Sequence, residues 1–237
     1  MTLALAGRID VAAAAAEFAR TGHVRLQPFL AQDAAIACLA ELKGRDDWVQ
    51  VVNSGDKVFD LSRAARAAMT AQQREALDQA VLAGAQSGFQ HRYEALRLPD
   101  GNAPVPAGDA LVARWPAFLS AGPVRDLLRR VTGRADIEFA DGQATAYAPG
   151  DFLTGHDDDV PGKQRRAAYV FSLNPLWRVE WGGLLLFHDG PDRVRGVMPA
   201  FNSLDVFAVP QMHSVSMVTG SVPNRRYAIT GWLRANQ

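Results

Sequence analysis

The sequence predicts a mainly β fold with supporting α-helices, its core a double-stranded β-helix, or jelly roll. Three observations lead there. From Ile137 onward, eight short strand-like runs follow one another between turns with no sequence repeat, the pattern of sandwiches and barrels rather than of alternating βα units. Helical periodicity is concentrated before that point. At 237 residues the chain is long enough for one large core without needing two. It therefore reads as a single domain over 1–237, with 1–136 a mostly helical support carrying added strands and loops and 137–237 the core.

Residues 10–20 read as a first helix closed by Thr21-Gly22, where Gly22 can adopt the left-handed end conformation. Residues 23–29 alternate as a strand. Residues 32–43 place Ala35, Ile36, Leu39 and Leu42 at helical spacing, a stripe that would pack on the sheet, and Gly44 ends the run. Residues 48–53 and 57–61 are strand-like around the turn-rich Asn53-Ser54-Gly55-Asp56, which predicts a hairpin whose tip can touch substrate. Thr70 followed three positions later by Gln73 is a capping-box pattern opening a helix to about Ala85, with Leu77, Val81 and Leu82 on its buried side. In 88–98, Phe89, His91 and Tyr93 alternate and share one face of a strand; His91 reads as a core or substrate-pocket residue rather than a metal ligand. Residues 99–109 hold two glycines and three prolines and read as an exposed loop, and 110–119 and 123–132 as two short helices, the second with Pro123 in its first turn.

The eight later runs are 137–148, 152–157, 167–173, 183–187, 193–198, 203–209, 213–218 and 226–233. Gly182-Gly183 marks a bend or a close backbone approach, and His188, beside Asp189-Gly190, reads as a loop residue.

Twenty-five basic and twenty-five acidic residues balance to a formal charge of zero, so no global field favours nucleic acid or an anionic membrane. The single Cys38 has no internal partner for a disulfide and sits in a helical apolar run, which fits a buried thiol in a reducing compartment. The alanine stretch 12–16 is flanked by Asp10 and Glu17 as in a soluble helix, no export or membrane segment is read, and the expected location is the cytoplasm.

The chemistry concentrates in Gly155-His156-Asp157-Asp158-Asp159. On an extended chain, side chains two positions apart project from the same face, so His156 and Asp158 make a bidentate metal site while Asp157 and Asp159 face away. One further imidazole completes the two-histidine, one-carboxylate triad that leaves positions open at Fe(II), and His213, opening a strand, is the candidate. In Arg226-Tyr227-Ala228-Ile229-Thr230-Gly231-Trp232, period two puts Arg226, Ala228, Thr230 and Trp232 on one face, a fixed cation and a hydroxyl suited to an anionic co-substrate. Arg225 points the other way and reads as a solvated surface charge.

From about Ala144 to Trp232 the chain resembles the Fe(II)- and 2-oxoglutarate-dependent oxygenases of the prolyl 4-hydroxylase superfamily. It looks most like the prolyl hydroxylases that modify a ribosomal protein, through Tyr147-Ala148-Pro149-Gly150-Asp151-Phe152-Leu153 ahead of His-Asp-Asp, then Gly162, Arg165-Arg166, Leu173, Pro175, Trp177, Gly182-Gly183 and the run 184–187. The segment 226–232 is similar to the C-terminal strand of the oxygen-sensing prolyl hydroxylases. The resemblance implies a cupin-like jelly roll housing Fe(II) on His156, Asp158 and His213, with 2-oxoglutarate and dioxygen as co-substrates and ascorbate as a possible reductant. It implies Arg226 as receptor of the far carboxylate, Tyr147 lining the oxoglutarate pocket and Thr230 near the metal-bound water or co-substrate. These relatives often carry a tyrosine where this chain has Ser172, and serine is too short to reach the far carboxylate in the same way. The expected activity is hydroxylation of a prolyl residue of a protein, with release of succinate and carbon dioxide. Hydroxylation of a free amino acid or other small molecule, and a non-catalytic jelly-roll binding module, are the alternatives.

Overall fold

The structure, a computed structural model, describes residues 1–7, 9–101, 103–104 and 110–236. Helix α1 (Val11–Thr21) starts where the Asp10 carboxylate accepts from the Ala13 amide at 3.0 Å, and it stops at Gly22, whose φ of 70° is the left-handed conformation expected there. Strand β1 (His23–Leu26) follows. Helix α2 (Gln32–Gly44) buries Ala34, Ala35, Cys38, Leu39 and Leu42, whereas Ile36 is 53% exposed. The buried stripe is thus rotated from the expected one, because small Ala34 and Cys38 let the helix lie close to the sheet.

Strands β2 (Val49–Ser54) and β3 (Lys57–Ser62) form the expected hairpin, with Ser54 opposite Lys57. Helix α3 (Arg63–Ala68), which the sequence did not suggest, is nucleated by the Ser62 hydroxyl accepting from the Ala65 amide at 3.1 Å. Helix α4 (Ala71–Ser87) opens with the full Thr70/Gln73 capping box but lies on the surface: Val81 is buried and Leu82 is 45% exposed. Strand β4 (His91–Arg97), a 3-10 turn at Val112–Arg114 and helices α5 (Trp115–Ser120) and α6 (Gly122–Thr132) complete the first part.

All eight later runs are strands: β5 (Phe139–Tyr147), β6 (Phe152–His156), β7 (Arg165–Leu173), β8 (Leu185–Gly190), β9 (Arg193–Val197), β10 (Phe201–Ala208), β11 (His213–Val215) and β12 (Arg226–Arg234). They pair antiparallel in the order β1-β10-β7-β12-β5-β4-β6-β11-β8-β9, with β2 and β3 added beside β4, giving a curled 12-stranded sheet. Strand β4 lies between β5 and β6, and its pairing of His91 with Leu153 and Arg92 with Phe152 joins the two halves of the sheet.

The convex face is covered by helices. Along β7, Tyr169, Phe171 and Leu173 point into the main core with Phe18, Phe29 and Trp115, while Ala168 and Val170 turn inward to a smaller cluster with Phe187, Phe207 and Ala228. Trp115 is fully buried and stacks on Phe171 at 4.3 Å, a contact worth ~0.5–1.5 kcal/mol beyond its burial. The concave face is left to line a cavity. Among the described residues no helix is long and apolar enough to cross a membrane.

Candidate metal centre

His156 ends β6 and His213 begins β11, and the two are direct partners across that antiparallel pair, with ring centroids 4.1 Å apart. Asp158 meets them from a turn. Its φ is 65°, a left-handed conformation that aspartate tolerates better than most residues, so the chain has left the strand before the carboxylate is reached. The expectation that His156 and Asp158 share one face of an extended strand is therefore corrected: a turn, not strand alternation, aims the carboxylate. Asp158 Oδ1 lies 3.5 Å from His156 Nε2 and Oδ2 3.5 Å from His213 Nε2, and one ligand atom from each residue falls within 4.8 Å of the others. Asp158 is 9% exposed, whereas Asp157 and Asp159 face solvent.

The surroundings fix which nitrogen is offered. His156 Nδ1 lies 3.1 Å from the Thr154 carbonyl and His213 Nδ1 2.7 Å from the Gln211 carbonyl. A carbonyl only accepts, so each Nδ1 carries a hydrogen and Nε2 is the nitrogen turned toward the other ligands. Burial and the nearby His156 push the His213 pKa down to about 4, which keeps that ring neutral. Arg165 donates to the Asp158 carbonyl at 2.9 Å and stacks its guanidinium on Trp232 at 3.5 Å, bracing the turn. Two imidazoles held at Nδ1 by carbonyls and one carboxylate beside a cation suit Fe(II).

A cavity of about 180 Å³ opens beside these ligands, lined among others by Phe89, His91, Tyr93, Gln143, Thr145, Tyr147, Thr230 and Trp232, and by Arg226. Arg226 pairs with Tyr147 across β12 and β5, its guanidinium 5.2 Å from the tyrosine ring centroid. It is 2% exposed, and among the described residues its Nε has no hydrogen-bond partner and no carboxylate forms an ion pair with it. Burial lowers its pKa from the ordinary arginine value, with Tyr147 opposing. A buried cation without a counter-charge is costly, so this end of the cavity suits a carboxylate that arrives with a ligand. Gly183, with φ of 64°, leaves room for the arginine stem: a Cβ there would sit 3.0 Å from Arg226 Cδ.

Tyr147 is 3% exposed and stacks on Tyr93 at 5.0 Å, and Thr230 lines the same cavity. Ser172 is buried opposite Ala228 and Ser203. Gln143 and Thr145 were not singled out from sequence, although they alternate with Tyr147 along β5 and period two alone points to them.

Three other expectations change. Arg225 is no free surface charge: its Nη1 donates at 2.8 Å to the fully buried Glu94 carboxylate, which Arg63 and Arg66 also bind. His188 lies within β8 and its Nε2 is 2.9 Å from Ser214 Oγ. Asn53 is no exposed tip residue. Its Oδ1 accepts from the His91 amide at 2.8 Å and its Nδ2 donates to the Phe89 carbonyl at 2.9 Å, so the hairpin clamps the cavity wall. Of loop 99–109, positions 102 and 105–109 lie outside the described residues.

Residues 142–234, which carry all three ligands and Arg226, match the family model described as the 2OG-Fe(II) oxygenase superfamily. No curated protein matches the chain. Among solved structures, a Pseudomonas putida prolyl-4-hydroxylase aligns with TM-score 0.62 and 18% identity over 96% of this chain and 100% of that one. A Burkholderia pseudomallei oxidoreductase of the 2OG-Fe(II) oxygenase family gives 0.61 and 16% over 97% and 95%. A Trichoplax adhaerens prolyl hydroxylase, in complex with a hypoxia inducible factor oxygen degradation domain peptide fragment, gives 0.59 and 19% over 95% and 89%. At these identities the three structures speak to the fold, which is the jelly roll.

Proposed function

We propose that this chain is an Fe(II)- and 2-oxoglutarate-dependent dioxygenase, a single oxygenase domain over 1–237, that hydroxylates a prolyl residue of a protein. His156, Asp158 and His213 hold the metal, Arg226 receives the far carboxylate of 2-oxoglutarate, and Tyr147 and Thr230 line its pocket. The observation that carries the reading is Arg226, a buried cation without an acidic partner among the described residues, sharing one cavity with three convergent metal-ligand atoms. A structural metal site has no use for a matched carboxylate receptor.

When bound, iron supplies the dioxygen chemistry that splits 2-oxoglutarate into succinate and carbon dioxide and places one oxygen atom on the substrate. The chain's own residues prepare the site. The Thr154 and Gln211 carbonyls hold both imidazoles with Nε2 toward the metal, Arg165 steadies the Asp158 turn, and Arg226 with Tyr147 selects a dicarboxylate. Phe187, Phe207, Val170 and Ala228 form an apolar cluster from which Val170 and Phe207 line the cavity.

Two supports favour a protein substrate. Two of the structural neighbours are prolyl hydroxylases, one of them holding a peptide, and the residues resembling ribosomal-protein prolyl hydroxylases point the same way. Incubating lysate proteins with the enzyme, iron, ascorbate and 2-oxoglutarate, then searching by mass spectrometry for a gain of one oxygen on proline, tests the reading. Efficient hydroxylation of free proline with no oxygen gained by any protein replaces it with the small-molecule alternative.

A further inference from the structure

One wall of the cavity is a row of rings running from a metal-ligand candidate to the buried arginine. Phe89 lies 5.5 Å from His156 and 5.5 Å from His91, His91 lies 5.5 Å from Tyr93, Tyr93 lies 5.0 Å from Tyr147, and Tyr147 faces the Arg226 guanidinium at 5.2 Å. His91 is the imidazole in this row and is 7% exposed. Its backbone is fixed from outside by Asn53, which holds the His91 amide and the Phe89 carbonyl.

The hydrogen-bonding state of His91 differs from that of the candidate ligands. Their Nδ1 atoms face carbonyls; the His91 Nδ1 is buried with no partner among the described residues. An N–H sealed away from every acceptor is unfavourable, so the proton belongs on Nε2, the nitrogen left to the cavity that His91 lines. Burial, with the nearby His156, pushes the His91 pKa down to about 4, so the ring is neutral and has that one proton to give. A ring in this tautomer does not ligate metal through Nε2. It donates to an oxygen.

On the dioxygenase reading above, which this inference rests on, the co-substrate lies along this wall, its far carboxylate at Arg226. His91 is on the triad side of the row, next to the Phe89 ring that touches His156, and so meets the other end. We propose that His91 donates a hydrogen bond from Nε2 to the metal-proximal carboxylate of the bound 2-oxo acid and so sets the orientation of its chelate.

The test is an anaerobic titration of the Fe(II)-loaded protein with 2-oxoglutarate, followed by the visible charge-transfer absorption of the chelate, with Fe(II) affinity measured separately. His91→Phe, which fills the same slot between Phe89 and Tyr93, is expected to weaken 2-oxoglutarate binding about tenfold and to shift the band, as loss of a hydrogen bond to a charged group does. His91→Gln carries an amide N–H to the position of Nε2 and should restore most of both. His91→Asn stops short of it and should behave like the phenylalanine variant. Fe(II) affinity should be unchanged in all three. Wild-type affinity with an unshifted band in the phenylalanine or asparagine variant overturns the proposal, as does a glutamine variant no better than asparagine. Loss of Fe(II) binding would instead make His91 a ligand and also overturn it. A wild-type protein that binds Fe(II) but gives no band with 2-oxoglutarate sinks the dioxygenase reading itself.

Discussion

Arg225 and Arg226 are neighbours in sequence and serve opposite faces of the sheet: Arg226 is 2% exposed in the cavity without an acidic partner among the described residues, and Arg225 binds the Glu94 carboxylate at 2.8 Å behind it. Arg226→Ala should therefore weaken 2-oxoglutarate binding by ~2–5 kcal/mol, the usual cost of removing one partner of a buried charge pair. Arg225→Ala should leave that affinity within twofold and lower thermal stability instead. Calorimetric titration beside a melting curve separates the two. An oxoglutarate affinity governed by Arg225 would mean the pocket is wrongly placed.

His156→Ala, Asp158→Ala and His213→Ala should each abolish Fe(II) binding and with it 2-oxoglutarate turnover, while Asp157→Ala keeps both. The reason is the turn at Asp158, which buries that carboxylate between the two Nε2 atoms and leaves Asp157 in solvent. Metal content after gel filtration reads this directly, and equal loss in the Asp157 and Asp158 variants would contradict it.

Gly183→Ala should lower 2-oxoglutarate affinity about tenfold without affecting metal. The new methyl would stand 3.0 Å from Arg226 Cδ, 3.2 Å from Val218 Cγ2 and 3.3 Å from Trp177 Cζ2, at a φ of 64° that alanine resists. Backbone strain of this kind costs ~1–3 kcal/mol, so the melting temperature should also fall. Unchanged oxoglutarate affinity would show that the arginine stem has room to spare.

Glu94 links stability to pH. Burial pushes its carboxyl pKa up, but hydrogen bonds from Arg63 and Arg66 and the charge of Arg225 outweigh that and hold it below the ordinary carboxylate value. A group whose folded pKa is depressed stabilises above its unfolded pKa and loses that contribution as pH falls through the folded value. Glu94→Gln should accordingly destabilise by ~1–3 kcal/mol at neutral pH, a figure tempered because the arginines are 28–35% exposed, and should flatten the acid limb of the stability curve. Denaturant melts across the acid range check both.

Cys38 should stay unlabelled by a thiol reagent at mildly alkaline pH until the protein is denatured. It is fully buried in α2, and burial, reinforced by the charge of Glu41, pushes its pKa up to about 12, so almost no thiolate exists to react. Rapid modification of the native protein would contradict that placement.

What the sequence determined by itself is what rests on neighbours along the chain. Strand-like runs between turns marked all eight later strands, period-two alternation put Arg226, Thr230 and Trp232 on the cavity face, and the Thr70/Gln73 box and Gly22 set helix ends through contacts within a few residues. His156, Asp158 and His213 stood out because their residue types and order are informative by themselves. Tertiary structure decided the rest. Strand alternation could not show that Asp158 turns in at a φ of 65°, because that conformation is held by Arg165 from another strand. The partner of Arg225 lies 131 residues away and the brace of His91 lies 38 residues away. The orphan Nδ1 of His91 depends on what every surrounding element fails to supply. Local pattern specifies which face a side chain takes; its charge state, hydrogen-bond partners and exposure belong to the packed environment, which only the folded chain assembles.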